Sequence, residues 1–137
     1  MARFLFMLTI AAFGGLLLTT PAKAQDVDAG QHAFKQQCGI CHDVAPDKNR
    51  IGPSLFGVAG RKAGGVAGFN YSDANKNSGL TWDQATLDKY LADPRGVVPG
   101  TKMTYAGVKN GQQRADIIAY LQSESSGQKK VTAAATN

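Results

Sequence analysis

The stretch CGICHD, residues 38–43, holds both cysteines of the 137-residue chain and one of its two histidines. A C-x-x-C pair followed directly by His is compatible with a redox disulfide, part of a zinc site, or the attachment point of a c-type haem. A four-ligand zinc site would need two more Cys or His residues beside the cysteine pair, and His32 is the only candidate outside the motif. A redox disulfide is expected beside a βαβ pattern, which is not evident downstream. The motif therefore favours haem, with Cys38 and Cys41 forming thioethers and His42 binding iron, and a disulfide as the alternative.

The first 25 residues, MARFLFMLTIAAFGGLLLTTPAKAQ, have the pattern of a secretory signal peptide. A single Arg3 precedes a 15-residue apolar run, residues 4–18, and the segment closes on Ala22-Lys23-Ala24. The run is shorter than the ~20 residues that a membrane-spanning helix needs. We therefore predict that residues 1–24 are removed by cleavage after Ala24 and that the protein is exported to the periplasm. An uncleaved membrane anchor is the alternative.

Residues 25–137 are long enough for one small domain, predicted over residues 25–124, with a flexible tail of small and charged residues over 125–137. The full chain has 15 Lys and Arg against 10 Asp and Glu, a net charge of +5. Without Arg3 and Lys23 the excess falls to +3. So small an excess does not make nucleic acid the expected partner. A domain of this size buries little core, so a large apolar cofactor would supply much of its interior.

The pattern of apolar residues predicts three helices and no sheet. The first has an aspartate N-cap and spans about 26–37, the second lies in TWDQATLDKYLA at 81–92, and the third spans about 111–123. The Gly-rich stretch 51–79 lacks the alternation typical of strands. We therefore predict an all-α domain whose helices pack around something other than a sheet.

A second axial ligand would decide whether a haem in this chain is closed or open to small molecules. The candidates in the exported chain are His32 and Met103, because the other two methionines belong to the signal segment. His32 lies on the first predicted helix, only six residues before Cys38, where a solvent-facing position is more typical. Met103 lies 61 residues after His42 and follows the Pro-Gly turn of VVPGTK. Met103 is the better candidate, although a lone methionine can also be core filler.

The chain resembles class I cytochromes c, particularly the bacterial cytochrome c2 group, and is similar to mitochondrial cytochrome c. The likeness covers about residues 28–122 and rests on five ordered motifs: CGICH, GPSLFGVAGRKAG, FNYSDANKNSGLTW, TLDKYLADPRGVVPGTKM and RADIIAYL. It implies a small all-α, single-domain fold wrapped around one covalent haem c. It also implies axial ligation by His42 and Met103 and a role as an electron carrier rather than an enzyme.

The resemblance assigns roles to further residues. Pro53 matches the family's proline whose backbone carbonyl accepts a hydrogen bond from the haem-ligating histidine. Four side chains match the family's partners of the haem propionates: Arg61, Tyr71, Trp82 and Thr101. Asn75 and Tyr90 match the family residues that form a polar network beside the methionine sulfur. Gly30 matches the glycine at which the first and last helices cross closely. Two positions depart from the family pattern: Gln37 replaces a frequent Lys, and Tyr105 replaces a common Phe.

The resemblance also implies partners. The protein is expected to be a monomer that takes electrons from a cytochrome bc1-type complex and passes them to a photosynthetic reaction centre or a terminal oxidase, without nucleic acid and without stable membrane insertion. Five basic residues match the family's docking rim: Lys35, Arg50, Arg95, Lys102 and Lys109. Two other classes of protein remain as alternatives, a haem enzyme or sensor with Met103 displaced, and a thiol oxidoreductase without haem.

Overall fold

The computed structural model describes residues 24–134, with side chains to residue 126; the predicted signal peptide therefore lies outside the described residues except for Ala24. The described chain contains five α-helices: α1 (Val27–Gln37), α2 (Asp73–Lys76), α3 (Gln84–Ala92), α4 (Pro94–Val97) and α5 (Gly111–Ala134). Its β pairing is limited to one isolated bridge between Lys62 and Thr81. The prediction of an all-α fold is confirmed.

Helix α1 begins where the Asp26 side chain accepts hydrogen bonds from the backbone N–H groups of Asp28 and Ala29, each at 3.0 Å. An aspartate in this position satisfies N–H groups that the helix itself cannot pair. The helix ends as the Cys38 N–H donates to the Phe34 carbonyl. The chain then turns tightly, with the His42 N–H donating to the Cys38 carbonyl at 2.8 Å. The C-x-x-C-H motif is thus a turn fixed to the end of α1.

Helices α1 and α5 cross at Gly30. A Cβ added there would overlap the backbone carbonyl of Asp116, so only glycine allows the two backbones to approach this closely. The buried Asp116 carboxylate accepts from the backbone N–H of Asp26 at 3.0 Å, which ties the start of α1 to α5. Phe34 and Tyr120 pack with their ring centroids 5.5 Å apart. The crossing predicted at Gly30 is therefore present.

Helix α3 begins at the Asp83 cap, whose side chain accepts from the Thr86 N–H at 2.8 Å. Two short helices were not predicted. Helix α2 is capped by Ser72 and α4 by Asp93, and four residues each are too few to show a helical period in the sequence. Ile117, on α5, is fully buried. None of the helices within residues 24–134 is both long enough and apolar enough to cross a membrane.

Helix α5 is longer than the sequence predicted, since it continues to Ala134 instead of ending near Ser123. The apolar period stops after Leu121, which is why the sequence indicated an earlier end. In this extension the Ser125 hydroxyl donates to the Leu121 carbonyl and accepts from the Ala59 N–H at 3.2 Å. The hydrogen bond from the Ala59 N–H ties α5 to the loop that leads to Arg61. Flexibility of residues 125–137 stays a prediction.

Candidate functional site

A cavity of about 480 Å³ lies between the C-terminal end of α1, the loops of residues 51–72, helix α3 and the loop that follows α4. Apolar side chains form much of its wall, including Phe34, Leu55, Leu87, Ile117 and Leu121. Every residue predicted to bind iron or to contact the cofactor lines this one cavity: Cys38, Cys41, His42, Pro53, Arg61, Tyr71, Asn75, Trp82, Tyr90, Thr101 and Met103.

The His42 imidazole is held in one orientation. Its Nδ1 lies 2.8 Å from the Pro53 carbonyl oxygen, an acceptor that requires the proton on Nδ1 and leaves the Nε2 lone pair free. Burial lowers the pKa of His42, and the hydrogen bond to Pro53 opposes that shift only in part. A Cβ at Gly52 would overlap the imidazole ring, so the glycine makes room for it. His42 is therefore a neutral, oriented imidazole, the form that ligates metals.

The two cysteines of the motif lie at the cavity wall and are not bonded to each other. Burial, and then the neighbouring Cys41, raises the pKa of Cys38 to about 11. Reactive cysteines of thiol oxidoreductases have lowered pKa values, because the thiolate is the nucleophile. The environment of Cys38 therefore disfavours the redox-disulfide alternative.

Met103 lies half-buried in a small polar network. The Tyr90 hydroxyl donates to the Met103 sulfur at 3.4 Å, and the Met103 N–H donates to the Thr101 hydroxyl at 3.2 Å. The Tyr90 and Thr101 hydroxyls are themselves 3.5 Å apart. Burial raises the pKa of Tyr90, so its phenol stays protonated and remains a donor. The predicted contact between Tyr90 and the methionine is present.

Asn75, the second predicted member of that network, is buried, and its Oδ1 has no hydrogen-bond partner among the described residues. An unpaired buried acceptor is costly, by about 1–3 kcal/mol. The amide can rotate by 180°, so it offers the cavity either an acceptor or a donor. Its orphaned oxygen is consistent with a cavity that receives a polar group.

Arg61 places a positive charge at the cavity wall. Its guanidinium donates to the carbonyls of Phe56 at 2.8 Å and Ser54 at 2.9 Å, which hold the side chain in place. Burial lowers the pKa of Arg61, yet a guanidinium keeps its charge at neutral pH. Among the described residues no acidic side chain forms an ion pair with it. An anion in the cavity would provide the missing counter-charge.

The two positions that depart from the family pattern touch each other. The Tyr105 hydroxyl donates to the Gln37 side-chain oxygen at 2.5 Å, and both residues line the cavity. They are 68 residues apart in the chain, so nothing in the sequence links them. The sequence identified both positions and missed the contact.

The predicted docking residues differ in whether their charged groups contact other residues of the protein. Lys102 lies at the cavity, and its ammonium donates to the Asn70 carbonyl at 3.1 Å and the Tyr71 carbonyl at 3.4 Å. Arg50 pairs with Asp43 at 2.9 Å. Lys109 donates to the Ala92 carbonyl at 2.7 Å, whereas Lys35 and Arg95 are simply exposed.

These features fit a haem. The cavity combines an apolar wall, two thiols that can form thioethers, an oriented imidazole, a thioether sulfur and an unpaired guanidinium for an anionic substituent. Each group matches one chemical feature of haem c. No acidic side chain is among the described residues that line the cavity, so none would repel the haem propionates.

Comparisons with known proteins agree with this geometry. The family model described as Cytochrome c matches residues 27–125. The chain is 56% identical to cytochrome c2 of Rhodomicrobium vannielii over 115 residues, covering 82% of this chain and 91% of that protein. It is 50% identical to cytochrome c2 of Blastochloris viridis over 112 residues, covering 80% and 87%. The solved structure of cytochrome cH from Methylobacterium extorquens matches with a TM-score of 0.68 and 52% identity, covering 72% of this chain and 98% of that chain.

Proposed function

Because the chain belongs to the class I cytochrome c family, in the bacterial cytochrome c2 group, we propose that it is a soluble periplasmic electron carrier with His42 and Met103 as axial ligands. Membership of this family makes it an electron-transfer protein, not an enzyme, with one covalent haem c. The observation that carries the finer proposal is that all the predicted ligand and contact residues line one cavity.

The residues act by holding and insulating the cofactor. When bound, haem supplies an iron that alternates between the ferric and ferrous states. Cys38 and Cys41 anchor it covalently, and the Pro53 carbonyl keeps the His42 ring turned so that Nε2 can bind. Tyr90 and Thr101 hold the Met103 segment. Met103, as a soft thioether, would favour the ferrous state of the bound haem, and the apolar wall would disfavour the extra charge of the ferric state, so both would raise the reduction potential.

The propionate contacts are also part of the proposal. Arg61 supplies a fixed cation, and the hydroxyl of Tyr71, the indole of Trp82 and the hydroxyl of Thr101 supply donors at the same cavity. Burial raises the pKa of Tyr71, which keeps its phenol protonated and able to donate to a carboxylate. These donors would keep the anionic groups of the cofactor neutralised inside the protein.

The proposed electron donor is a cytochrome bc1-type complex, and the acceptor is a reaction centre or a terminal oxidase. The support is the similarity to proteins named cytochrome c2. The periplasmic location rests on the secretory pattern of residues 1–24. An intact mass equal to residues 25–137 plus one haem would support cleavage after Ala24, whereas a mass that retains the apolar segment would contradict it.

A visible spectrum of the purified protein tests the function. Sharp α and β bands in the reduced protein, unchanged by carbon monoxide, are expected if His42 and Met103 fill both axial positions. A shift on adding carbon monoxide would instead indicate an open iron and a gas-binding or peroxide-using protein. A protein that is exported, folded and free of haem would indicate the thiol oxidoreductase.

A further inference from the structure

The segment that carries Met103 has little regular structure of its own. Residues 101–110 contain no helix or strand, and the backbone hydrogen bonds of the segment lie at its two ends. At one end the Thr101 N–H donates to the Val98 carbonyl at 3.0 Å, and at the other the Val108 N–H donates to the Leu91 carbonyl at 2.7 Å. Side chains must therefore hold the part in between.

The Tyr90 and Thr101 hydroxyls contact Met103 itself. Two further side chains, on either side of Met103 in the sequence, tie the segment to other parts of the fold. Lys102 donates to the loop at Asn70 and Tyr71, as described above. Tyr105 donates to Gln37, the last residue of α1, at 2.5 Å. Gln37 directly precedes Cys38, so this second contact joins the methionine segment to the element that carries the haem-binding cysteines.

The two departures from the family pattern compensate each other. Gln37 supplies a side-chain carbonyl, and Tyr105 supplies the hydroxyl that donates to it. With Phe at position 105 the amide oxygen would lose this donor, and with Lys at position 37 the phenol would lose its acceptor. The pair therefore works as one unit, although neither residue is a predicted ligand.

We propose that the Tyr105–Gln37 hydrogen bond is a latch that keeps the methionine segment closed against α1 and so slows the replacement of Met103 by external ligands. Both are positioning residues for axial ligation. The inference rests on the proposed function, because it takes Met103 as the ligand that the latch protects. External imidazole can reach the iron only when the methionine segment opens, so its binding rate reports the opening directly.

The test uses the ferric holoprotein and the variants Tyr105→Phe, Gln37→Met and the double variant. Phe keeps the aromatic ring, and Met keeps the length of Gln and its propensity for a helix. Imidazole binding is followed by loss of the charge-transfer band of methionine-ligated ferric haem. A neutral hydrogen bond of ordinary strength predicts about 3- to 10-fold faster binding in each single variant. The double variant should be no faster than the singles, since the first substitution already breaks the contact.

Gln122→Met is the matched control. Gln122 lies on α5, does not line the cavity, and its amide contacts Gln84 at 3.5 Å. The same substitution there should leave imidazole binding unchanged. Thermal unfolding of all variants separates a local opening from a general loss of stability.

Three results would overturn the latch: parental imidazole rates in Tyr105→Phe, single effects that multiply in the double variant, or an equal acceleration in Gln122→Met. A parent protein that lacks the methionine charge-transfer band would overturn the proposed ligation itself, and the latch with it. Parental rates in the variants alongside a normal band would leave the ligation intact and remove only the latch.

Discussion

At the scale of single residues, the site depends on partners that orient each ligand. As the proposed ligand, His42 would bind through Nε2 only if Nδ1 carries the proton, and the Pro53 carbonyl at 2.8 Å imposes that tautomer. The Met103 side chain is not fixed by such a short hydrogen bond. Its sulfur accepts a hydrogen bond from the Tyr90 hydroxyl at 3.4 Å. The imidazole is therefore held rigidly by its neighbours, while the methionine side is held by longer contacts on an irregular segment.

Replacing Met103 by Ala tests the less firmly held of the two proposed ligands. The haem should stay attached, because Cys38 and Cys41 hold it independently of Met103. The iron should lose its sixth ligand and bind carbon monoxide in the ferrous state, which the parent is expected not to do. Reduced spectra with and without carbon monoxide measure the change. If the variant keeps the parent's low-spin spectrum, potential and inertness to carbon monoxide at neutral pH, Met103 is not the ligand.

At the scale of elements, the helices are placed by close approach and by caps. The α1–α5 crossing brings the backbone of Gly30 against the Asp116 carbonyl, a contact that no side chain can accommodate. The α1 terminus in turn determines where the C-x-x-C-H turn begins. A disturbance at Gly30 is therefore expected to reach the cavity through α1, although Gly30 does not line it.

Gly30→Ala should destabilise the fold. Alanine gains about 1 kcal/mol of helix propensity over glycine. The overlap with a backbone carbonyl should outweigh that gain, because the neighbour cannot rotate away, and overpacking costs about 1–3 kcal/mol or more. Urea unfolding measures the net loss. Gly111→Ala is the control, since a Cβ there meets only the Arg114 side chain at 3.7 Å, an ordinary contact. Equal stabilities of Gly30→Ala and the parent would contradict the predicted crossing.

The Asp83 cap of α3 should contribute to acid sensitivity. The Thr86 N–H bond lowers the pKa of Asp83 in the folded protein, as do weaker contributions from Ala85 and Lys89. A lowered folded pKa means that the cap stabilises the protein above the unfolded pKa and that this contribution is lost as the pH falls through the folded pKa. Asp83→Asn keeps a capping acceptor but no ionisable group.

The measurement for Asp83 is the free energy of unfolding as a function of pH. The parent should lose more stability than Asp83→Asn between neutral pH and about pH 3. Parallel curves for the two proteins would show that the cap does not titrate in this way.

At the scale of the whole molecule, the charge excess is small, so its distribution matters more than its size. Three of the five predicted docking residues already have intramolecular partners: Arg50, Lys102 and Lys109. Substituting them would disturb local structure as well as surface charge. Lys35 and Arg95 are exposed and are therefore the cleaner reporters of docking.

Arg95→Glu should slow second-order electron transfer to an acidic partner at low ionic strength, by several-fold or about 10-fold, and added salt should remove the difference. The spectrum and potential should change little, since Arg95 does not line the cavity. Stopped-flow kinetics over a range of salt concentrations provide the measurement. Lys129→Glu is the control, because position 129 lies outside the residues matched by the family. Equal slowing by both variants, or no dependence on salt, would place the docking face elsewhere.

Much of this protein can be predicted from the sequence because the decisive signals are local. The spacing of Cys38, Cys41 and His42 indicates the cofactor. The aspartates at 26 and 28 indicate the start of α1, and the structure shows that Asp26 is the cap. The ordered motifs identify the family and the set of residues around the cavity. The haem motif and the helix cap lie within a few residues of what they determine, whereas the residues around the cavity were assigned by the resemblance to a known family.

Only the tertiary structure decides the remaining features. The hydrogen bond between Tyr105 and Gln37 joins residues that are 68 positions apart in the chain. The Lys102 ammonium donates to the loop at Asn70. Helix α5 continues beyond the end of its apolar period. Short helices such as α2 are likewise too brief for a period to show. Contacts of this kind arise when separate segments pack around a shared cavity, and their geometry depends on the whole fold. The C-x-x-C-H spacing and the resemblance to the family therefore identified the residues that can hold a haem. Packing determined which side chains restrain the methionine segment and which charges remain free at the surface.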